Sequence, residues 1–343
     1  MAKLPIIVIT PGDPAGIGPE VVEKALLKRR TYHNRFRPLI IGAPQPFQNS
    51  RLKLEAFHSF ESIEWKNDVI PFIAPDFSLL RSPRHGGWYS GWAIETATKL
   101  CLNDDVSALV TGPIDKDRLQ KGGFRYFGHT DFIADLCRVP EVTMMLANSQ
   151  LRVSLVTIHQ SLASVSKSLT KKTLDRALLQ TKNELQIHFG IKKPRIAVLG
   201  LNPHSGENGL LGHEEQKTII PTIEAFRKRH LGTDVLGPFP ADTFFAIHYG
   251  KRPTKSFDAV VAMYHDQGLI PVKMLDFDRS VNLTLGLPII RTSVDHGTAF
   301  DIVGNGTARS SSMEAALDLA YTMALKRIRK QRADLKIQRK RKS

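Results

Sequence analysis

Asp258-Ala-Val-Val-Ala-Met-Tyr264 is a short apolar run that ends on His265. Leu151-Arg-Val-Ser-Leu-Val-Thr-Ile158 ends in the same way on His159, and Arg195-Ile-Ala-Val-Leu-Gly-Leu-Asn-Pro203 on His204. Runs of this length, rich in Val, Ile and Leu and bounded by turn residues, read as buried strands. In an open parallel sheet, ligands bind outside the carboxyl ends of the strands. Three such strands therefore deliver three imidazoles to one edge. Imidazole is a common metal ligand, and three protein donors leave open positions on a divalent cation. Taken singly, a histidine after a strand is a loop or capping residue. Three at equivalent positions, within His-Gln-Ser, Pro-His-Ser-Gly-Glu-Asn-Gly and His-Asp-Gln-Gly, point to a catalytic metal site on an α/β sheet. Their wide separation carries no zinc-finger spacing.

Around these runs, strand-like and helical patterns alternate. Pro5–Thr10 reads as a first strand, followed by a glycine-rich turn and a helix from Pro19 to Arg30 with basic residues at its end. Further strands are expected at 37–42, 106–112, 143–150 and 234–240. Helices are expected over 88–105, 130–139, 170–190, 213–230, 241–249 and 311–332. Repeated β-then-α order argues for parallel strands with helical crossovers.

The 343 residues, 42% of them hydrophobic, suffice for one large or two smaller domains. The apolar N-terminal stretch is too short for a signal-sequence core, and no apolar segment is long enough to cross a bilayer. Two cysteines, Cys101 and Cys137, give no disulfide framework, so a cytoplasmic setting is expected. The formal charge is +15, but residues 326–343 hold ten Lys/Arg against one Asp, or +9 of it. The remaining +6 suits an enzyme of phosphorylated anions. Without interleaved aromatics, that basic tail reads as the end of a last helix and a solvated extension. Nucleic-acid binding is at most a side activity of the tail.

The turn Thr10-Pro-Gly-Asp-Pro-Ala-Gly-Ile-Gly-Pro-Glu20 has neither the G-x-G-x-x-G dinucleotide fingerprint nor a Walker lysine. Its glycines imply a close backbone approach, either to a ligand or to the protein itself. Phe127-Gly-His-Thr-Asp131 precedes a helix, with Thr130 expected as its N-cap, and such an N-terminus suits a phosphate or carboxylate as well as a simple cap. Lys273, Asn282 and Arg291 together suit an anionic, hydroxylated small molecule. Asp295-His-Gly-Thr-Ala-Phe-Asp301, followed by Gly304-Asn-Gly306, resembles the His-Gly-Ser-Ala-Pro-Asp loop that contacts adenosine in isopropylmalate and isocitrate dehydrogenases.

The blocks ITPGDPAGIGPE (9–20), TGPIDK (111–116), FGHTDFIA (127–134), LNPHSGENG (201–209), GPFPADTFF (237–245), YHDQGLIPVK (264–273) and VNLTLGLPIIRTSVDHGTAFDIVGNG (281–306) occur in that order. Together they resemble the 4-hydroxythreonine-4-phosphate dehydrogenase family of pyridoxal 5′-phosphate biosynthesis, from Ile6 to the last helix. The resemblance implies an isocitrate/isopropylmalate dehydrogenase-like α/β fold, with two α/β/α subdomains and a cleft between them. The expected division is 1–135 plus 281–325, then 136–280, with 326–343 as the basic tail. The resemblance further implies a homodimer whose active sites lie at the subunit interface, with metal ligands from both subunits. His159, His204 and His265 match the family's metal ligands. His129, Thr130, Lys273, Asn282 and Arg291 match its substrate-binding positions. NAD, or NADP, is expected at His296, Gly297, Thr298, Asp301 and Asn305. The implied reaction is oxidation of 4-phosphooxy-L-threonine at C3, then decarboxylation to 3-amino-2-oxopropyl phosphate. One divalent cation assists at each site; three nitrogens favour Zn²⁺, with Co²⁺ or Mg²⁺ as alternatives. Asp242 and Lys273 are both candidates for the catalytic base. A related dehydrogenase of threonate or erythronate 4-phosphate is the alternative. A phosphate-binding acyltransferase or a metallohydrolase on the same sheet architecture is the reading from a different class.

Overall fold

The computed structural model describes residues 4–28, 32–76, 86–250 and 257–342, the last eight of these by backbone alone. Arg29 and Arg30, expected at the end of the first helix, lie outside the described residues, as do the side chains of the tail from Leu335 onward. The strands are β1 (Ile6–Thr10), β2 (Arg37–Ile41), β3 (Leu54–Phe57), β4 (Ile70–Ile73), β5 (Ala108–Thr111), β6 (Thr143–Ala147), β7 (Arg152–Leu155), β8 (Arg195–Leu199), β9 (Asp234–Phe239), β10 (Ala259–Ala262), β11 (Val281–Leu285) and β12 (Arg291–Val294). The helices are α1 (Gly18–Lys28), α2 (Gly86–Leu102), α3 (Lys116–Lys121), α4 (His129–Leu136), α5 (Leu162–Ser168), α6 (Lys171–Ile187), α7 (Ile220–Arg229), α8 (Ala241–Tyr249), α9 (His265–Leu275) and α10 (Ser311–Lys342).

Two compact units form, Met1–Pro140 with Leu287–Ile328, and Glu141–Gly286 with Arg329–Ser343. The first contains the parallel strand order β3-β4-β2-β1-β5-β12. Every residue of β1, β4 and β5 is buried, as a parallel sheet covered on both faces requires. Helix α2 packs on β1 and β5, and α10 buries Met313, Ala316, Leu317, Ala320, Met323 and Ala324. At about 25 cal/mol per Å² of apolar surface, each such leucine or methionine contributes roughly 2 kcal/mol.

The second unit has the order β11-β6-β7-β10-β8-β9. Strands β7, β10, β8 and β9 are parallel, whereas β6 runs antiparallel to both β11 and β7. The expectation of uniform parallel crossovers fails at β6, because Asn148–Leu151 closes a turn too short for a crossover. Asn148 N donates to the Leu151 carbonyl, and the Asn148 side chain accepts from Gln150 N and Leu151 N. The five residues of β11 pair with β6, so this strand belongs to the second unit rather than to the first, where a boundary at 280 would put it. Helix α6 starts at a reciprocal cap between Thr170 and Thr173. Helix α10 continues to Lys342, so the last helix runs on through the basic tail, whose residues 331–334 are exposed. Among the described residues no helix is long and apolar enough to cross a membrane.

Candidate functional site

In the second unit the three histidine-bearing runs become β7, β10 and β8, three adjacent parallel strands. Their carboxyl ends are stitched together. Thr157 donates to the Met263 carbonyl from both its amide (3.1 Å) and its hydroxyl (2.7 Å). The Gln267 side chain accepts from Met263 N and donates to the Gly200 carbonyl, each at 2.7 Å. His159 and His265 leave this edge with ring centroids 5.8 Å apart. Two imidazoles sharing one ion at about 2.1 Å would have centroids roughly 4.5–5.5 Å apart, so the pair stands close to chelating distance. Asp266 Oδ1 holds His265 Nδ1 at 2.6 Å, which leaves Nε2 for a ligand. A cavity of about 480 Å³ opens here, lined by Thr157, His159, Gln160, Ser161, His265 and Asp266.

His204 is placed differently. Its ring is 66% exposed, 3.6 Å from the Glu207 carboxylate, and among the described residues no three His, Cys, Asp or Glu side chains of one chain form a metal-holding group. His204 opens a turn in which five successive residues, to Asn208, have positive φ. Four of them carry a Cβ, and each costs about 1 kcal/mol or more in this region. Buried Glu215, at the start of a π-helical turn, lies against this segment. Leu210 and Leu211, just beyond it, are 82% and 43% exposed. The residues present thus fit a cation in part: two imidazoles converge within the chain, and the third stands on an outward turn flanked by exposed leucines.

Lys273 and Asn282 lie away from this edge. Lys273 is eight residues after His265 along α9, about 12 Å down the axis, and its Nζ lies over the Phe277 ring at 5.6 Å. Asn282 pairs with Leu146, which pairs with Val153 near the amino end of β7, and its Oδ1 is buried with no hydrogen bond. Asp242 is exposed in the first turn of α8. A wider cleft of about 950 Å³, lined by Lys193, Arg195, Arg227 and Lys228 among others, lies at the amino ends of β8 and β9, away from the three histidines.

In the first unit, Arg291 opens β12 beside β5 and is 4% exposed. Its Nη2 donates to Thr111 Oγ1 at 2.8 Å, and Thr111 Oγ1 donates to Ser293 Oγ at 2.9 Å. Burial pushes the guanidinium down to about 9, a heavily desolvated cation suited to an anionic ligand. Burial, and then the charge of Arg291, hold His129 well below the usual histidine range, so its imidazole is neutral at pH 7. His129 Nε2 is closed to solvent and makes no hydrogen bond. His129 and Thr130 are the first two residues of α4. The expectation of Thr130 as the N-cap is corrected: Gly128 holds that position, and Asp131 reaches back to accept from Phe127 N at 2.6 Å.

The glycine-rich turn approaches the protein itself. A Cβ on Gly12, at φ +88°, would stand 2.0 Å from the Pro113 carbonyl oxygen, and one on Gly16 would stand 2.9 Å from that of Thr298. Ile17 N donates to the Thr298 carbonyl at 2.9 Å, docking the loop of His296, Gly297, Thr298, Asp301 and Asn305 onto the turn. Lys24 clamps the far end of that loop by donating to the Gly306 and Ala308 carbonyls, each at 2.8 Å. Arg118 binds Asp13 at 2.6 Å and lies over the Phe300 ring at 5.8 Å. His296 Nε2 is buried without a partner, and nothing lies within 4 Å of where a Cβ on Gly297, Gly304 or Gly306 would project. Glu215, Gln267, Arg118 and Lys24 carry no sequence signal, since each acts by a contact made only on folding.

The family described as "Pyridoxal phosphate biosynthetic protein PdxA" matches residues 34–320. The 4-hydroxythreonine-4-phosphate dehydrogenase of Trichlorobacter lovleyi is 43% identical over 336 residues, covering 94% of this chain and 98% of its own. The D-threonate 4-phosphate dehydrogenase of Cupriavidus necator is 42% identical over 338 residues, covering 94% and 98%. The crystal structure of 4-hydroxythreonine-4-phosphate dehydrogenase from Klebsiella pneumoniae superposes with a TM-score of 0.81 at 37% identity, covering 93% and 99%.

Proposed function

The chain belongs to the pyridoxal phosphate biosynthetic protein PdxA family, and from that premise we propose that it oxidises 4-phosphooxy-L-threonine at C3 with NAD⁺ or NADP⁺. The resulting β-keto acid loses CO₂ to give 3-amino-2-oxopropyl phosphate. The observation that carries this reading is the alignment of three adjacent parallel strands in the second unit, each ending toward a histidine; the Arg291–His129 pair of the first unit, suited to an anion, adds to it.

Arg291 binds an anionic group of the substrate, and neutral His129 and the Thr130 hydroxyl bond to its oxygens. Lys273 and Asn282 hold the rest of the polar substrate. Lys273 or Asp242 takes the C3 hydroxyl proton; Lys273, about 12 Å along α9 from His265 of its own chain, would do so from the second copy. His159 and His265, joined by His204 of a second copy in a cytoplasmic homodimer, would hold one divalent cation. The resemblance and the exposed leucines beside His204 support that pairing. The cation, Zn²⁺ before Co²⁺ or Mg²⁺, would supply Lewis acidity to the C3 oxygen in both stages. His296, Gly297, Thr298, Asp301 and Asn305 would hold the nicotinamide cofactor, in space that the absent Cβ atoms leave open.

The test joins metal analysis of the purified protein to substrate-dependent NADH formation before and after chelation. His204→Ala is expected to abolish turnover and bound metal while the fold persists. Full turnover in chelated buffer refutes the reading. A second reading, oxidation of D-threonate 4-phosphate, is favoured by the Cupriavidus relative. His129 and Arg291 answer to anionic oxygens common to both substrates, so a substrate panel decides between them.

A further inference from the structure

The turn that carries His204 needs support from outside itself. From His204 to Asn208 the φ angles are 50°, 54°, 80°, 41° and 57°. Its local bonds are few: Ser205 N to the Asn202 carbonyl, Leu210 N to that of Glu207, and Leu211 N to that of Gly206. Beneath it lies Glu215, 2% exposed. Glu215 Oε1 accepts from Leu201 N and Asn202 N, both at 2.8 Å, and Oε2 accepts from Asn202 Nδ2 at 2.9 Å. These three bonds fix the two residues before Pro203 and His204. The same carboxylate reaches the middle of the turn, where a Cβ on Gly206 would stand 2.6 Å from Oε2. An acidic side chain is thus sunk under a strained backbone that has few bonds of its own.

We propose that Glu215 is the positioning residue for His204. Its carboxylate sets the left-handed turn, and through the turn the direction of the imidazole, without touching substrate or cation. Gly206 is the matching partner, small enough to let the turn close over the carboxylate. The proposal rests on the reading of His204 as a metal ligand.

The test is titration of metal-free full-length protein with Co²⁺, followed by its visible absorption and by calorimetry. Glu215→Gln keeps the shape and removes the charge, setting an NH₂ group against that of Asn202. It is expected to weaken Co²⁺ at least tenfold and to change the visible spectrum, while the far-ultraviolet dichroism and the metal-free melting temperature stay near wild type. Should that variant not fold, Gly206→Ala leaves Glu215 charged and displaces the turn from above, with the same expected loss. A folded Glu215→Gln or Gly206→Ala protein with wild-type affinity and spectrum overturns the proposal, provided His204→Ala has lost Co²⁺. Wild-type binding by His204→Ala overturns the ligand reading itself, and this proposal with it, so the two failures are distinct.

Discussion

Replacing Arg291 by methionine keeps most of the side-chain length and removes the charge. Arg291 is 4% exposed, and burial lowers it from 12.5 to about 9. At about 1.4 kcal/mol per pKa unit, the folded chain carries a desolvation cost of several kcal/mol for this cation. An anion that binds it returns part of that cost. A hydrogen bond to a charged group contributes about 1.5–3 kcal/mol, so the variant's KM for the phosphorylated acid should rise roughly 10- to 150-fold. The fold should change little, because losing the bond to Thr111 Oγ1, worth about 1.5–3 kcal/mol for a charged donor, is offset by the relieved desolvation. The assay is initial-rate NADH formation with each substrate varied in turn, alongside melting curves with and without the phosphorylated acid. The ligand-induced rise in melting temperature should shrink in the variant. An equal rise in KM for NAD⁺, or an unchanged KM for the acid, would refute the assignment.

Gly16→Ala places a methyl 2.9 Å from the Thr298 oxygen and 3.0 Å from its Cβ, closer than the loop tolerates without moving. Overpacking of this kind costs about 1–3 kcal/mol, so the KM for NAD⁺ should rise about tenfold while that for the acid holds; an unchanged NAD⁺ KM speaks against the cofactor loop. His129 is neutral when folded, whereas its unfolded form takes a proton near pH 6.5. Its contribution to stability is therefore whole above that pH and is lost as the pH falls below it. Urea unfolding of His129→Gln should show a flatter decline than wild type from about pH 6.5 downward, and an equal slope in both proteins contradicts the burial argument.

Local pattern made much of this legible. The apolar runs before His159, His204 and His265 became β7, β8 and β10, and α8 spans Ala241–Tyr249 as expected. What escaped depends on partners distant in sequence. The reversal of β6 and the allegiance of β11 are settled by pairing, which the residues 143–147 and 281–285 do not announce. Strands β3 and β4 also escaped: β3 carries Glu55 and is only partly buried, and β4 holds Pro71, so neither reads as an apolar run. The distance of Lys273 from His265 follows from the helix between them, and nearness in sequence conceals it. Glu215 looked like any acid in a His-Glu-Glu-Gln stretch, because nothing local marks a carboxylate that will be buried.

The first unit joins Met1–Pro140 to Leu287–Ile328, with residues 141–286, most of the second unit, between its two parts. On the ribosome, β5 waits for β12, some 180 residues later, and Lys24 waits for carbonyls 282 and 284 residues away. At about 5–20 residues per second, the N-terminal portion spends roughly 9–36 seconds with that strand edge uncovered. Residues 141–286, the greater part of the second unit, emerge in one piece, and only Arg329–Ser343 of that unit follows later. Nascent chains stalled near residue 290 should therefore recruit chaperones through the unfinished early segment, making biogenesis a vulnerable stage for this protein.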